Sequence, residues 1–155
     1  MLHPVEGGKI VQAIPPATNG SALNGDFIKL RDAVMCFVIV NILQANAAQA
    51  TISIEKATDD AVGNIPITTA VPIWSNLDAA ASDTLVRRTN AVNYQLDAGI
   101  KNKLVIIQID PAELGAGYDW LRVVVGASNV ANIVSAEYHL VGTRYKQATP
   151  PSAIV

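Results

Sequence analysis

An all-β fold, an antiparallel β-sandwich, is what the sequence predicts, and three observations lead there. Short runs rich in β-branched and aromatic residues recur between clusters of Gly, Pro, Asn and Asp, which is the spacing of a sandwich or barrel. Two of these runs alternate apolar and polar residues with the period of two that a half-buried strand requires. No long amphipathic helix competes with them. These signals leave strand order open, so a jelly-roll-like sandwich and an immunoglobulin-like one are both admitted.

Residues 1–25 carry Pro4, Gly7, Gly8, Pro15, Pro16, Gly20 and Gly25 and read as an extended N-terminal arm with one short strand over 9–14. Such an arm is expected to be removable without unfolding the domain. The sandwich domain is expected over 26–146, with strands over 26–30, 34–43, 50–56, 67–73, 84–89, 92–96, 103–110, 120–125 and 133–141. Residues 147–155, with Pro150 and Pro151, read as an extended C-terminal tail.

The stretch AVMCFVIVNIL at 33–43 is eleven residues without a charge. It is too short for a transmembrane helix, which takes about 20 apolar residues, and its apolar side chains surround a helical wheel on every side. Its β-branched content fits a strand. Val34, Cys36, Val38, Val40 and Ile42 then face one way, and Met35, Phe37, Ile39 and Leu43 the other. LVIIQI at 104–109 is likewise apolar on both faces, so both strands need a cover on their outer side, from the arm or from a neighbouring subunit. By contrast ATISIEK and IVSAEYHLV each have one wet face. Between them, IDPAELGAGYDW reads as a strand end, a single capped turn and a restart. Asp110 caps free amides there, Pro111 takes the first helical position, and Gly115 and Gly117 allow the exit.

Composition narrows the functional classes. Charged residues are 15% and hydrophobic ones 50%, against about 25% charged in an average soluble domain, so the surface is unusually neutral. With 11 basic and 13 acidic residues there is no cationic footprint for a phosphate backbone, and nucleic acid is not an expected partner. A membrane is not expected either. The N-terminal residues lack a basic and then apolar leader pattern, so synthesis in a cytoplasm is expected.

Candidate chemistry is sparse. Cys36, inside the apolar strand, reads as a buried inert thiol. Asp110, Glu113 and Asp119 are the densest carboxylates, but they lack calcium-loop spacing, and cap and loop roles explain them. Asp59 and Asp60 read as a solvated turn. His3 and His139 have no Cys or second His at ligand spacing, no serine sits in a nucleophile elbow, and Gly7-Gly8-Lys9 lacks phosphate-loop spacing. No catalytic residue, metal or cofactor is therefore expected. Arg87 and Arg88 are neighbours in a strand and face opposite ways, one to the surface and one to an interface. Trp74 and Trp120 read as core or interface anchors.

The order FIKLRDAVMCFVIVNI, ATISIEKATD, LVIIQIDPAELGAGYDWLRVVVGAS and IVSAEYHLVGTRY resembles the small virion structural proteins of tailed bacteriophages, over about residues 26–146. The resemblance implies a non-enzymatic protein of the virion, on the capsid surface, similar to the decoration or cement proteins that brace neighbouring capsomers. Its implied partners are the major capsid protein and further copies of itself, as a dimer or trimer. Partner contacts are expected at Ile10, Ile14, Trp74, Arg87, Arg88, Trp120 and His139. The alternative is a carbohydrate- or receptor-binding module of a head fibre or tail, with Trp74, Tyr94 or Trp120 as the sugar platform.

Overall fold

The computed structural model describes residues 8–60 and 63–143, which form two antiparallel sheets packed face to face. The strands are β1 (Gly8–Thr18), β2 (Leu23–Asn24), β3 (Ile28–Lys29), β4 (Ala33–Leu43), β5 (Thr51–Ala57), β6 (Ile65–Pro66), β7 (Val71–Asn76), β8 (Val86–Ala91), β9 (Asn93–Gln95), β10 (Asn102–Ile109), β11 (Trp120–Val125) and β12 (Ile133–Thr143). Sheet A runs β1-β12-β4-β10-β7-β8, and sheet B runs β2-β11-β5-β6, with β3 also on β11 and β9 also on β5. The pairs nest: β4 with β12, β5 with β11, β7 with β10. A double-stranded ribbon folded over on itself gives this pattern, so the sandwich is jelly-roll-like rather than immunoglobulin-like.

The core lies between the sheets. Cys36, Val38, Val40 and Ile42 of β4, Val105 and Ile107 of β10, and Val134 and Ala136 of β12 face Ile52 and Ile54 of β5 and Leu121, Val123 and Val125 of β11, all buried. Tyr138 crosses this core from sheet A. Its hydroxyl donates to the Asp26 carbonyl at 2.9 Å and accepts from the Val123 amide at 2.9 Å, filling a break in the ladder of β11 between β2 and β3. Gly25 lines that break because a Cβ there would sit 2.8 Å from the Tyr138 hydroxyl.

The apolar layer is sealed at its ends by polar side chains. Lys103 points inward from β10 and gives its amine to Gln44 Oε1 at 2.8 Å, to the Asp97 carbonyl at 2.9 Å and to the Asp97 carboxylate. With an acceptor for each of its three protons, the buried ammonium is satisfied. Lys56, inward on β5, donates to the Leu114 carbonyl at 2.7 Å and lies 4.4 Å from the Tyr118 ring centre. The turn after β10 is a single 3-10 turn, Pro111–Leu114, with a full capping box: Ala112 N–H to Asp110 at 2.9 Å and Asp110 N–H to Glu113 at 2.8 Å. Gly115 and Gly117 exit with φ of 85° and 84°, as expected of glycine.

The N-terminal segment departs from expectation. Residues 8–18 are no free arm but the edge strand β1, hydrogen-bonded to β12 from Gly8↔Val141 to Thr18↔Ile133. Pro15 and Pro16 did not end the strand, because an edge strand has an outer side on which a missing N–H costs nothing. Irregularities between Gln12 and Ile14 and between Ile14 and Ala17 absorb them. Removing this segment would expose β12, so it is part of the domain. Of the strand expected over 67–73, residues 67–70 are in no strand, and β7 takes only its end and runs on from Val71 to Asn76. Ser75 and Asn76 continue β7 although polar, because Ser75 meets Tyr94 at 3.0 Å and Arg88 at 2.7 Å, and Asn76 donates to the Ser82 carbonyl at 2.5 Å. His3 and the expected tail over 147–155 lie outside the described residues.

Candidate interaction face

Strand alternation puts the second apolar set of β4 and β10 on the outer face of sheet A. Hydrogen-bond register aligns these side chains in rows across the strands. One row reads Ile10, His139, Phe37, Gln108. The next reads Gln12, Glu137, Ile39, Ile106, Trp74, Arg87, and spans all six strands. A third reads Ser135, Asn41, Leu104, Asn76. Phe37, Ile39, Ile106 and Trp74 are half-buried and, with Leu85, floor a shallow depression of about 430 Å³ with Gln108 and His139 at its border. Among the described residues, no segment lies over it. Because β1 pairs in the plane of the sheet, the N-terminal strand does not supply the cover that β4 and β10 call for.

The charges on this face sit at its two sides. The Arg87 guanidinium lies 4.7 Å from the Trp74 ring centre and donates to the Ile73 carbonyl at 3.1 Å, to the Arg88 carbonyl and to Asn90. Across the sheet, Glu137 stands 3.4 Å from His139 Nε2, and that nitrogen is shielded from solvent without a hydrogen-bond partner among the described residues. The outer face of sheet B is different in kind. Thr51, Ser53 and Glu55 cover it, Arg122 binds Glu55 at 2.7 Å and stacks 4.8 Å from the Phe27 ring, and Asn64 donates to Glu55 at 2.8 Å.

Four of the residues expected at a partner surface, Ile10, Trp74, Arg87 and His139, share this face. Three do not. Ile14 is turned into the core at 3% exposure by the irregularity in β1, and Trp120 is buried at 7% with the Lys29 amine 5.6 Å from its ring. Arg88 turns to the opposite side of β8 from Arg87 and donates to Ser75, so the pair divides as the strand alternation requires. Tyr94 bonds Ser75 from β9 and offers no platform beside Trp74. Phe37, Ile39, Leu104, Ile106 and Gln108 join the face without having been singled out as contact residues, although their double-sided apolar strands were the signal.

Elsewhere the titratable groups serve the fold. Asp97, Arg88, Asp78 and Lys101 line a polar hollow of about 370 Å³ at one end of the sandwich. There the hydrogen bond from Lys103 holds the Asp97 carboxyl below its ordinary range, and Lys101 pairs with Asp78. Burial pushes the Cys36 thiol far above its usual range, which leaves it un-ionised. No three His, Cys, Asp or Glu side chains converge on a metal position among the described residues.

No protein-family model and no curated protein sequence matches the chain. Among solved structures, it is similar to the SPBc2 prophage-derived protein YomS, at 14% identity over 87% of this chain and 93% of that one, with a TM-score of 0.49. It is more distantly similar to a putative sugar binding protein from Bacteroides thetaiotaomicron, at 10% identity over 90% and 83% of the two chains and a TM-score of 0.31. The coat protein of Tobacco streak virus aligns at 12% identity over 98% and 96%, with a TM-score of 0.28. These are partial likenesses of strand arrangement.

Proposed function

We propose that the protein is a non-enzymatic structural component of a phage virion, a decoration or cement protein that binds the capsid surface and stabilises contacts between major capsid protein subunits. One observation carries this reading: an apolar outer sheet face left open, among the described residues, in a chain of low charge. Burying apolar surface on a neighbour is the function such a face can perform, at about 25 cal/mol per Å² removed from water. The four sequence segments that resemble tailed-phage virion proteins support a shell as that neighbour. Shells assembled from the phage's major capsid protein should bind the full chain in co-sedimentation and withstand more heat with it than without. Shells that neither bind it nor gain heat resistance would refute the reading.

A second reading, a glycan- or receptor-binding module of a fibre or tail, is supported by Trp74, whose half-buried ring shares its depression with Gln108 and His139. An aromatic platform beside side-chain hydrogen-bonding groups is what a sugar site needs. Glycan binding that Trp74→Ala abolishes, with no binding to shells, would replace the first reading by this one.

A further inference from the structure

We infer that the outer face of sheet A docks a second copy of this chain, about a two-fold axis parallel to the strands and passing through Ile106. The six-strand row carries the argument. Centred on Ile106 of β10, it reads Glu137, Ile39, Ile106, Trp74, Arg87, with the acid two strands to one side and the base two strands to the other. Two sheets that meet face to face about an axis lying between them reverse left and right and keep position along the strands. The second copy's Arg87 then faces Glu137, its Glu137 faces Arg87, its Trp74 meets Ile39, and the two Ile106 side chains meet on the axis. An axis shifted by half a strand, between β4 and β10, would set Glu137 over the second copy's Trp74 and Arg87 over its Gln12, so that neither charge meets its opposite. The row sets acid against base about one line only.

The geometry tolerates real sheets. Strands lie about 4.8 Å apart, so Glu137 and Arg87 each stand about 10 Å from the axis. Twisted sheets pack at about 30° to one another, which moves opposed groups at that radius by about 5 Å, within the reach of Glu and Arg side chains. Arg87 is exposed and, among the described residues, has no carboxylate partner. The second copy's Glu137 would supply one. The two-fold contact uses the same face that the proposed function gives to a shell, so the two contacts are alternatives.

The inference rests on the proposal that this face is a docking surface, and its test contains no shell, so the two can fail separately. Sedimentation equilibrium of the full chain should show a monomer–dimer equilibrium. Glu137→Arg alone and Arg87→Glu alone should each weaken it at least about tenfold, since every dimer then holds two like-charge pairs. Mixing the two single variants restores both pairs, so the mixture should associate to within about twofold of the natural protein. That recovery also shows that both variants fold. A protein that stays monomeric to about 1 mM overturns the inference even if it co-sediments with shells. A mixture that associates no better than either variant alone overturns it too.

Discussion

Replacing Tyr138 with Phe removes one oxygen and leaves the packing of the ring intact, so its cost isolates the tie between the two sheets. Tyr138 is fully buried, and its hydroxyl makes two bonds, to the Asp26 carbonyl and from the Val123 amide, each of 2.9 Å. Two such bonds are worth about 1 kcal/mol each, and stranding a buried amide adds about 1 kcal/mol. Val123 is buried while Asp26 is exposed, so water can replace the partner of the carbonyl but not that of the amide. The expected loss is about 2–3 kcal/mol. At about 2–4 °C per kcal/mol for a chain of this size, the melting temperature should fall by about 5–10 °C. Urea unfolding followed by tryptophan fluorescence measures it, with an unchanged slope showing that only stability moved. A loss below about 0.5 kcal/mol at constant slope would falsify the bridging role.

Other outcomes follow from the same structure. Gly25→Ala, which places a methyl group 2.8 Å from the Tyr138 hydroxyl, should destabilise by about 1–3 kcal/mol as overpacking does; a melt matching the natural protein refutes the contact. Cys36 should react with a thiol reagent only after denaturation, being buried and held un-ionised, and fast labelling of the native protein contradicts its place in the core. Asp110→Ala should cost about 0.5–2 kcal/mol as a lost cap, while EDTA should leave the melting temperature of the natural protein unchanged; a shift of several degrees with the chelator argues for a bound metal instead. Asp97 is held below its ordinary range by Lys103, so its contribution is fully present above the unfolded value of about 3.9. That contribution is lost as pH falls through the lower folded value. The stability gap between the natural protein and Asp97→Asn should therefore be constant at neutral pH and close in acid, and a gap that persists at pH 2 shows that the carboxylate charge is not its source.

What the sequence made legible follows the physics of alternation. The strands over 50–56 and 133–141 were readable because β-branched residues and a clean period of two agreed there, those over 103–110 and 120–125 because of β-branched content alone, and the turn at Asp110 was readable because a cap, a proline and two glycines act within a few residues. The edge strand β1 was not, since Pro15 and Pro16 stop a central strand but not an edge one. Nor was the end of β7: Ser75 and Asn76 look like a loop until Tyr94, Arg88 and Ser82, distant in sequence, supply their partners. The interaction face was half legible. Double-sided apolar strands announced that β4 and β10 needed an outer cover, yet only register could place Trp74 and Arg87 in one row with Glu137. Trp120 misled because a Lys29 contact and burial satisfy it, and nothing local to WLRVVV says so.

The nested order of the strands also governs when the polypeptide can fold as it is made. β12 is the last described strand, and it sits between β1 and β4, the first long strands to be synthesised. On the ribosome β1 and one edge of β4 stay without their partner until β12 has emerged. Pairings this distant in sequence close slowly, and exposed strands of this kind are what chaperones hold in the interval. A chain stopped before Ile133 keeps open edges on β1 and β4, so its expected fate is aggregation rather than a smaller domain.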